Sequence, residues 1–266
     1  MNTNKISNWF KPKMIIGCIH VRPLPGSPSY KGNIKKVIEK AVTEAKLLTQ
    51  LGVDGLIIEN MHDTPYIKGK ADAETVAGMS VVSFAVRNVV EVPLGIQILS
   101  GAGIESVGVA VASGLQFIRI EGFAFAHVAD EGIIDSCAAR MLRKRTELKG
   151  QDMSIWADIK KKHSSHAITA DISIGEMAEA CEFMRADGIV VTGRSTGKET
   201  SIDDLNAVKK DTELPVIIGS GLTAENFHIY KDKADAFIVG SYFKKDGHWD
   251  NEIDGSRVNK FLEAAK

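Results

Sequence analysis

Short apolar stretches recur along the chain, and longer amphipathic stretches separate them. The apolar stretches have the length of buried strands, whereas the segments between them place apolar residues at helical spacing, as in Ile34, Val37, Ile38 and Ala41. The eight apolar stretches are MIIGCIH (14–20), GLIIEN (55–60), LGIQILS (94–100), QFIRIEG (116–122), SIWADIK (154–160), GIVVTG (188–193), VIIGSG (216–221) and AFIVGS (236–241). Eight alternating strand and helix units predict an α/β fold, a closed (β/α)8 TIM barrel with a parallel sheet.

No linker, low-complexity run or block of like charge divides the chain, so residues 1–266 are predicted to form one TIM-barrel domain. Residues 1–13 precede the first strand and are predicted to be an N-terminal extension. Trp9 and Phe10 in this extension either cover the bottom of the barrel or contact a neighbouring molecule, so a homo-oligomer is one expected state.

Side chains alternate between the two faces of a strand, so the sequence also predicts which residues point to the barrel axis. The apolar residues of each strand suit the helix layer, and the polar residues between them then point inward. These inward residues are His20, Gln97, Arg119, Glu121, Asp158 and Lys160. A satisfied polar network in the barrel interior would explain any one of them. As a set near the carboxyl ends of the strands, they favour a binding or catalytic site.

The composition narrows the class of ligand. The formal net charge is −1 and basic residues alternate with acidic ones, so neither nucleic acid nor a membrane surface is an expected partner. The N-terminus lacks the apolar region of a signal peptide, and no apolar run is long enough to span a bilayer. Cys18, Cys137 and Cys181 lie far apart in apolar segments, which predicts buried thiols in the cytoplasm. The expected ligand is a small molecule.

Glycine-rich turns follow the last three predicted strands, the position where TIM barrels often bind phosphate through main-chain N–H groups. Gly219-Ser220-Gly221 leads to Thr223, the predicted N-cap of a helix that begins with AENF. Gly240-Ser241 ends the eighth strand, with the cations Lys244-Lys245 a turn beyond, and TGRSTGKET (192–200) adds a third loop. The predicted phosphate-binding residues are Thr196, Gly197, Gly219, Ser220, Gly221, Gly240 and Ser241.

Titratable residues follow the first, second and fifth strands. They are His20 and Arg22, then Glu59, Asn60, His62 and Asp63, and then Lys160, Lys162, His163 and His166. A carboxylate beside an imidazole suits acid/base catalysis, and a desolvated lysine suits Schiff-base chemistry. A divalent metal on His20, Glu59, Asp63 and Asp158 is an alternative, but the spacing matches no strong metal motif, so no metal ligand is assigned.

Seven blocks of the sequence, taken in order, resemble the BtpA/SgcQ family. They are IHVRPLPGSPSYKG, GVDGLIIENMHDTPY, QFIRIEG, ADIKKKH, VTGRSTGKET, VIIGSGLTAENF and IVGSYFKKDG, within a resemblance that covers residues 14–263. The resemblance implies a phosphate-binding TIM barrel of the ribulose-phosphate-binding type, similar to the tryptophan synthase α subunit. It also implies a role in sugar metabolism or in photosystem I biogenesis.

The resemblance extends to individual positions. The family-like residues are His20, Pro23, Pro25, Gly26, Glu59, Asn60, Asp63, Arg119, Asp158, Lys162, His163, Thr196, Gly197, Gly219, Ser220, Gly221, Asn226, Gly240 and Lys244. Two blocks depart from the family pattern. Ser100-Gly101-Ala102 stands where the family tends to have Arg-Asn-Asp, and Glu121-Gly122 stands where it tends to have Val-Asn. The substrate is therefore expected to differ from that of typical members.

The leading hypothesis is an enzyme that acts on a small phosphorylated metabolite, a sugar phosphate or a nucleotide, by lyase, aldolase or isomerase chemistry. Asp158 or Glu59 would be the general base, and Lys162, His163 or His20 the acid or electrophile. The predicted substrate-binding residues are Arg22, Asn60, Asp63, Gln97, Arg119 and Glu121. A noncatalytic assembly or binding factor and a metal-dependent phosphohydrolase are the alternatives. No cofactor is assigned.

Overall fold

The computed structural model describes residues 8–193 and 199–266, and its central feature is a closed barrel of eight parallel strands. Each of the eight predicted apolar stretches contains one barrel strand, so the predicted (β/α)8 barrel is confirmed. The barrel strands are β1 (Met14–His20), β2 (Gly55–Glu59), β3 (Leu94–Gln97), β4 (Phe117–Ile120), β7 (Ser154–Ile159), β9 (Gly188–Val191), β10 (Val216–Ile218) and β11 (Ala236–Val239). Pairing of β1 with β11 closes the barrel.

Helices surround the barrel on its outer side. In the described residues they are α1 (Ile34–Leu51), α2 (Ala73–Arg87), α3 (Gly103–Ser113), α4 (Ala138–Glu147), α5 (Ile174–Phe183), α6 (Ile202–Asp211), α7 (Phe227–Tyr230) and α8 (Gly255–Ala265). Gly52 ends α1 and Gly114 ends α3 with φ of 100° and 67°, a left-handed conformation in which a Cβ would be unfavourable. Within the described residues, no helix combines the length and the hydropathy that a bilayer span requires.

Two apolar layers stabilise the barrel. Outward-facing residues of the strands pack against the helices, and inward-facing residues of the lower barrel form a second cluster that includes Phe117 and Trp156. These two rings stack with centroids 4.2 Å apart, and Trp9 stacks on Phe117 at 5.4 Å. A Cβ on Gly95 would lie 2.2 Å from the Phe117 ring, so β3 needs glycine there. Trp9 and Phe10 therefore cover the bottom of the barrel, one of the two predicted placements.

The predicted alternation of side chains holds within the strands. Ile155 and Ile159 belong to the outer layer, whereas Trp156 belongs to the inner cluster. The inward placement of Lys160 is wrong. Lys160 lies beyond the end of β7 with φ of 44°, and its Nζ donates a hydrogen bond of 2.8 Å to the carbonyl oxygen of Ile172. The alternation does not extend past the last residue of the strand.

A small antiparallel sheet beside the barrel was not predicted. It consists of β5 (His127–Ala129), β6 (Gly132–Ile134) and β8 (Ser164–Ser165), in the order β6-β5-β8. Strands of two or three residues are too short for an alternating pattern to be visible in the sequence. The sheet joins the loop after β4 to the loop after β7, next to the carboxyl ends of the barrel strands.

Candidate functional site

The carboxyl ends of the barrel strands surround a cavity of about 190 Å³, called here the central cavity. Most of the predicted site residues line it. They are His20, Glu59, Gln97, Arg119, Glu121, Asp158, Lys162, Gly219, Ser220, Gly221, Gly240 and Ser241. The predicted phosphate ligands Thr196 and Gly197 lie outside the described residues. The polar residues of several separate strands thus meet in one place, as parallel strands in a barrel require.

Arg119 lies at the centre of the charged residues. Its Nε and Nη2 donate to the two carboxylate oxygens of Asp158 at 2.8 and 2.9 Å, and its Nη1 donates to Glu59 at 3.3 Å. Burial alone would lower the pKa of Arg119, but Asp158 and Glu59 outweigh burial and raise it. Both oxygens of Asp158 are occupied by this bidentate contact, so Asp158 orients Arg119. Glu59 uses one oxygen for a longer contact.

His20 faces Glu59 in the neutral form. Its Nδ1 is 2.9 Å from the carbonyl oxygen of Trp249, and because a carbonyl only accepts, Nδ1 carries the hydrogen. Nε2 is therefore an acceptor, and it lies 4.0 Å from Glu59 Oε2. Burial and the nearby Lys244 lower the pKa of His20 to about 3. Burial also raises the pKa of Glu59, although Arg119 and Lys162 oppose this. The pKa of Glu59 is therefore closer to neutral pH than that of an exposed carboxylate.

A second group of polar residues forms one side of the central cavity. Glu121 accepts hydrogen bonds from Gln97 Nε2 at 3.2 Å and from Ser100 Oγ at 3.1 Å. Lys161 pairs with the same carboxylate at 2.5 Å. Lys161 was not among the predicted site residues, because a run of three lysines does not indicate which of them turns inward. Ser100 and Glu121 lie in the two blocks that depart from the family pattern, and here they contact each other.

The glycine loop after β10 borders the cavity, but not all of its main-chain N–H groups are free to donate a hydrogen bond to a ligand. The Gly219 amide donates to the Val191 carbonyl at 2.9 Å, so Gly219 offers no free donor to a ligand. A Cβ at Gly219 would lie 3.0 Å from Arg119 Nη2, so this glycine makes room for the guanidinium. Among the main-chain hydrogen bonds between described residues, none uses the amide of Ser220 or Gly221 as donor. Of the turn Gly219-Ser220-Gly221, the amides of Ser220 and Gly221 are therefore the two without a main-chain acceptor among the described residues.

The regular helix that follows this loop begins later than the predicted AENF start. Thr223 Oγ1 accepts from the Asn226 amide at 3.2 Å, and Asn226 Oδ1 accepts from the Thr223 amide at 2.8 Å. This reciprocal pair forms a turn, and the helix α7 begins only at Phe227. The predicted N-cap contacts of Thr223 are thus present, in the manner of a capping box, although the regular helix is reached only at Phe227.

The loop after β11 contributes Gly240 and Ser241, but the cations predicted beside them lie elsewhere. Lys244 is buried and pairs with Glu44 at 2.9 Å, and Lys245 is exposed. Arg257, near the start of α8, lines the cavity instead. Its Nε donates to the Tyr242 carbonyl at 2.7 Å, and its guanidinium lies 4.4 Å from the centroid of the Tyr242 ring. The only sequence signal for Arg257 is its position just after the helix cap at Asp254.

Asn60 and Asp63 hold three loops together. Asp63 Oδ1 accepts from the Leu24 amide at 2.8 Å, and Asp63 Oδ2 accepts from Asn60 Nδ2 at 3.2 Å. Asn60 Oδ1 accepts from the Leu99 amide at 2.7 Å. Both side chains line a separate cavity of about 430 Å³. They were predicted to bind substrate, but their hydrogen bonds join the loops after β1, β2 and β3.

Arg22 and His163 also lie outside the central cavity. Arg22 pairs with Asp250 at 3.1 Å and lines another cavity, of about 630 Å³. His163 is exposed and has φ of 54°. Both residues lie close to strand ends in the sequence, but neither of them lines the central cavity.

Comparison with known proteins identifies the family. The model of the BtpA family matches residues 11–266. The chain belongs to the BtpA family. A Caenorhabditis elegans protein whose name includes the word mitochondrial is 44% identical to this chain. The match covers 98% of this chain and 95% of the length of that protein. The photosystem I biogenesis protein BtpA of Synechocystis is 35% identical over 94% of this chain and 87% of its own.

Solved structures resemble this BtpA-family protein in fold. Tryptophan synthase of Mycobacterium tuberculosis superposes with a TM-score of 0.59 at 13% identity, covering 96% of this chain and 93% of its own. Phosphoribosyl anthranilate isomerase of Thermus thermophilus superposes with a TM-score of 0.56 at 12% identity. The match covers 94% of this chain and 97% of the isomerase. These similarities confirm the TIM barrel and leave the reaction to be argued from the site.

Three donors in the BtpA-family cavity are close enough to hold a metal ion. Cys18 Sγ, His20 Nε2 and a Glu59 oxygen lie within 4.8 Å of one another. This set differs from the predicted one, because Asp63 is bound to Leu24 and Asp158 to Arg119. Burial raises the pKa of Cys18 well above its ordinary value, which favours the neutral thiol. The nearby cations Arg119 and Lys162 also oppose a divalent ion, so we assign no metal role.

Three buried histidines are expected to make the free energy of unfolding of this BtpA-family protein depend on pH below about pH 6.5. Burial lowers the pKa of His20 to about 3 and those of His62 and His127 to about 4, from 6.5. At these histidines the unfolded chain binds more protons than the native state in this range, so their contribution to the free energy of unfolding falls as the pH falls. The raised pKa values of Glu59 and Glu121 act in the opposite direction. Urea unfolding at about pH 7.5 and about pH 5, compared between the native protein and His127→Gln, isolates the contribution of one histidine. The variant should lose less stability on acidification than the native protein, and an identical loss in both would contradict the expectation.

Proposed function

We propose that this protein is an enzyme that acts on a small phosphorylated metabolite by acid/base chemistry. The observation that carries the proposal is the juxtaposition, in one cavity, of two glycine loops with Glu59, Arg119 and Lys162. The loops suit a phosphate group, and the charged residues suit a reacting carbon skeleton. Fold neighbours named phosphoribosyl anthranilate isomerase and thiamine phosphate pyrophosphorylase support a phosphorylated ligand.

The phosphate would bind between the loops after β10 and β11. Gly221 has φ of 79°, and without a Cβ its amide is open to close approach by an anion. Ser241 follows Gly240 at the end of the neighbouring strand β11, and Arg257 supplies a cation. We expect Thr196 and Gly197 to add donors from the third loop. This arrangement holds an anion mainly through main-chain dipoles.

Glu59 is the proposed general base. Its raised pKa brings proton exchange closer to neutral pH, and its Oε2 faces the neutral His20 at 4.0 Å. Asp158, the other predicted base, is held by Arg119 and would orient it. Arg119 and Lys162 would stabilise negative charge that develops on a carbonyl or enolate oxygen. Lyase, aldolase and isomerase reactions share this requirement.

The size of the cavity favours a sugar phosphate over a nucleotide. The central cavity measures about 190 Å³, which is below the roughly 300 to 1,000 Å³ of pockets that enclose drug-sized ligands. Gln97 and Glu121, which line the cavity, would contact hydroxyl groups of the sugar. The cytoplasm remains the proposed compartment, supported by the free, buried thiols of Cys18 and Cys181.

A noncatalytic assembly role is the second candidate, and the name of the Synechocystis relative favours it. The two candidates differ at the cavity. An assembly factor would tolerate substitution of Glu59, whereas an enzyme would lose turnover. Glu59→Gln keeps the shape of the side chain, so retention of all biological activity in this variant would favour the assembly role.

Gly221→Asp is expected to weaken binding of inorganic phosphate and ribose 5-phosphate at least about tenfold, because a carboxylate would repel the anion at close range. Isothermal titration calorimetry measures the affinity. Gly221→Asn is the matched control, since asparagine has the same shape and tolerates the same positive φ without the charge. Equal affinities of the two variants for every phosphorylated ligand would contradict the proposed phosphate site.

A further inference from the structure

Three consecutive lysines follow β7, and the structure gives each a different environment. Lys160 Nζ donates to the Ile172 carbonyl at 2.8 Å, outside the central cavity. Lys161 Nζ pairs with Glu121 at 2.5 Å. Lys162 lines the cavity, and among the described residues it forms no ion pair within 4.0 Å. The amine of Lys162 is therefore the one that a bound molecule can reach.

The backbone on either side of the two cavity lysines is unusual. Lys160 has φ of 44° and His163 has φ of 54°, a left-handed region that non-glycine residues rarely adopt. In a regular strand, consecutive side chains point to opposite faces, so Lys161 and Lys162 would separate. With these turns, both side chains line the same cavity. Strained backbone of this kind occurs preferentially at functional sites.

The environment of Lys162 also favours a reactive amine. Burial lowers the pKa of Lys162, and the positive charge of Arg119 lowers it further, against the opposing effect of Glu59 and Asp158. A lowered pKa increases the fraction of free amine, which is the nucleophilic form. Lys161, by contrast, is held as an ammonium partner of the Glu121 carboxylate.

We propose that Lys162 forms an imine with the carbonyl group of a phosphorylated aldehyde or ketone in the central cavity. The proposal rests on the proposed function and names the substrate class and the covalent step. The Lys162 nitrogen adds to the carbonyl carbon, and one of its protons moves to the carbonyl oxygen. Protonated Glu59 then gives a proton to the hydroxyl as it leaves as water, which produces the iminium and the Glu59 carboxylate. Water is the by-product, and no oxidant or reductant is needed.

The imine gives the cavity a way to stabilise a carbanion. An iminium draws electrons from the neighbouring carbon, so a proton or a carbon fragment can leave that carbon more easily. Glu59, once ionised, lies in the same cavity to accept the proton. A phosphate held by Ser220-Gly221 and Gly240-Ser241 would fix the carbonyl of a short chain near Lys162. This favours aldolase or isomerase chemistry on a small phosphorylated sugar.

Reductive trapping tests the proposal directly. The full chain is incubated with D-glyceraldehyde 3-phosphate or dihydroxyacetone phosphate and sodium cyanoborohydride, and the modified lysines are located by peptide mass spectrometry. We expect modification of Lys162 to exceed that of Lys160 and Lys161 at least about tenfold, because only a free amine adds to a carbonyl. Inorganic phosphate should reduce the modification by competition. Lys162→Arg should abolish it at this site, and Lys160→Arg, the matched control, should not.

The outcomes separate the imine from the phosphate site. If the phosphorylated probes bind by calorimetry and Lys162 is not modified, or if modification is spread over exposed lysines, the imine is overturned while the phosphate site stands. Glyceraldehyde and dihydroxyacetone serve as probes without phosphate. If they modify Lys162 as well as the phosphorylated probes do, and inorganic phosphate neither binds nor competes, the imine stands and the phosphate site fails. If no probe modifies Lys162, the imine is overturned.

Discussion

Replacing Arg119 with methionine is expected to lower the free energy of unfolding by about 3 to 5 kcal/mol, because it leaves buried carboxylates without their partner. Asp158 would lose both of its guanidinium contacts, of 2.8 and 2.9 Å, and Glu59 would lose one of 3.3 Å. Affinity for phosphorylated ligands should fall as well, since the charge arrangement around the cavity collapses. Urea unfolding and calorimetric titration with ribose 5-phosphate measure the two effects.

Two further variants show whether this loss comes from the uncompensated charge. Arg119→Met combined with Asp158→Leu should recover much of the stability, because the double variant removes the stranded carboxylate together with its partner. Arg119→Lys should be intermediate, since an ammonium keeps the charge but not the bidentate geometry. If Arg119→Met alone unfolds at the same urea concentration as the native protein, the buried network contributes little and the expectation is wrong.

The barrel itself is predictable from sequence because its signal is repeated and local. Each strand is a short apolar run buried on both faces, and each helix has its own apolar stripe, so eight units can be read independently. The carboxyl ends of parallel strands must meet, so His20, Glu59, Arg119 and Asp158 could be expected in one place. The cavity that contains all four follows from that geometry.

The loops were less predictable, because the direction of a loop side chain depends on contacts that are distant in sequence. Lys244 was expected near phosphate, but it pairs with Glu44, 200 residues away in the sequence. Arg257 lines the same cavity as the glycine loops, although it lies in a helix that begins at Gly255. Asn60 and Asp63 follow a strand end, as catalytic residues do, yet they bind the main chain of neighbouring loops.

Residue types alone do not show which charged residues of the cavity pair with each other. Asp158 is committed to Arg119, and Glu121 to Lys161. This leaves Glu59 and Lys162 as the carboxylate and the amine with the weakest contacts, and burial moves the pKa of each toward neutrality. In the proposed reaction these two residues carry the chemistry, and the paired groups hold the cavity in shape.

Gly219→Ala is expected to lower the free energy of unfolding by about 1 to 3 kcal/mol, the usual effect of overpacking, and to impair ligand binding. The new methyl group would lie 2.6 Å from Val190 Cγ1 and 3.0 Å from both Arg119 Nη2 and Thr192 Cγ2, so its neighbours must move. Displacement of Arg119 would disturb its contact with Asp158. Urea unfolding and calorimetric titration with ribose 5-phosphate again measure the two effects.

The combination Gly219→Ala with Val190→Ala separates the clash with Val190 from the contact with Arg119. Removing the Val190 methyl groups relieves the closest contact, so stability should recover in part, but the alanine still presses on Arg119 and binding should stay impaired. This result would show that Gly219 serves the site by making room for the guanidinium. Full recovery of binding in the double variant would mean that the clash with Val190 alone is harmful. Gly219 would then matter for packing, and the position of Arg119 would not depend on it.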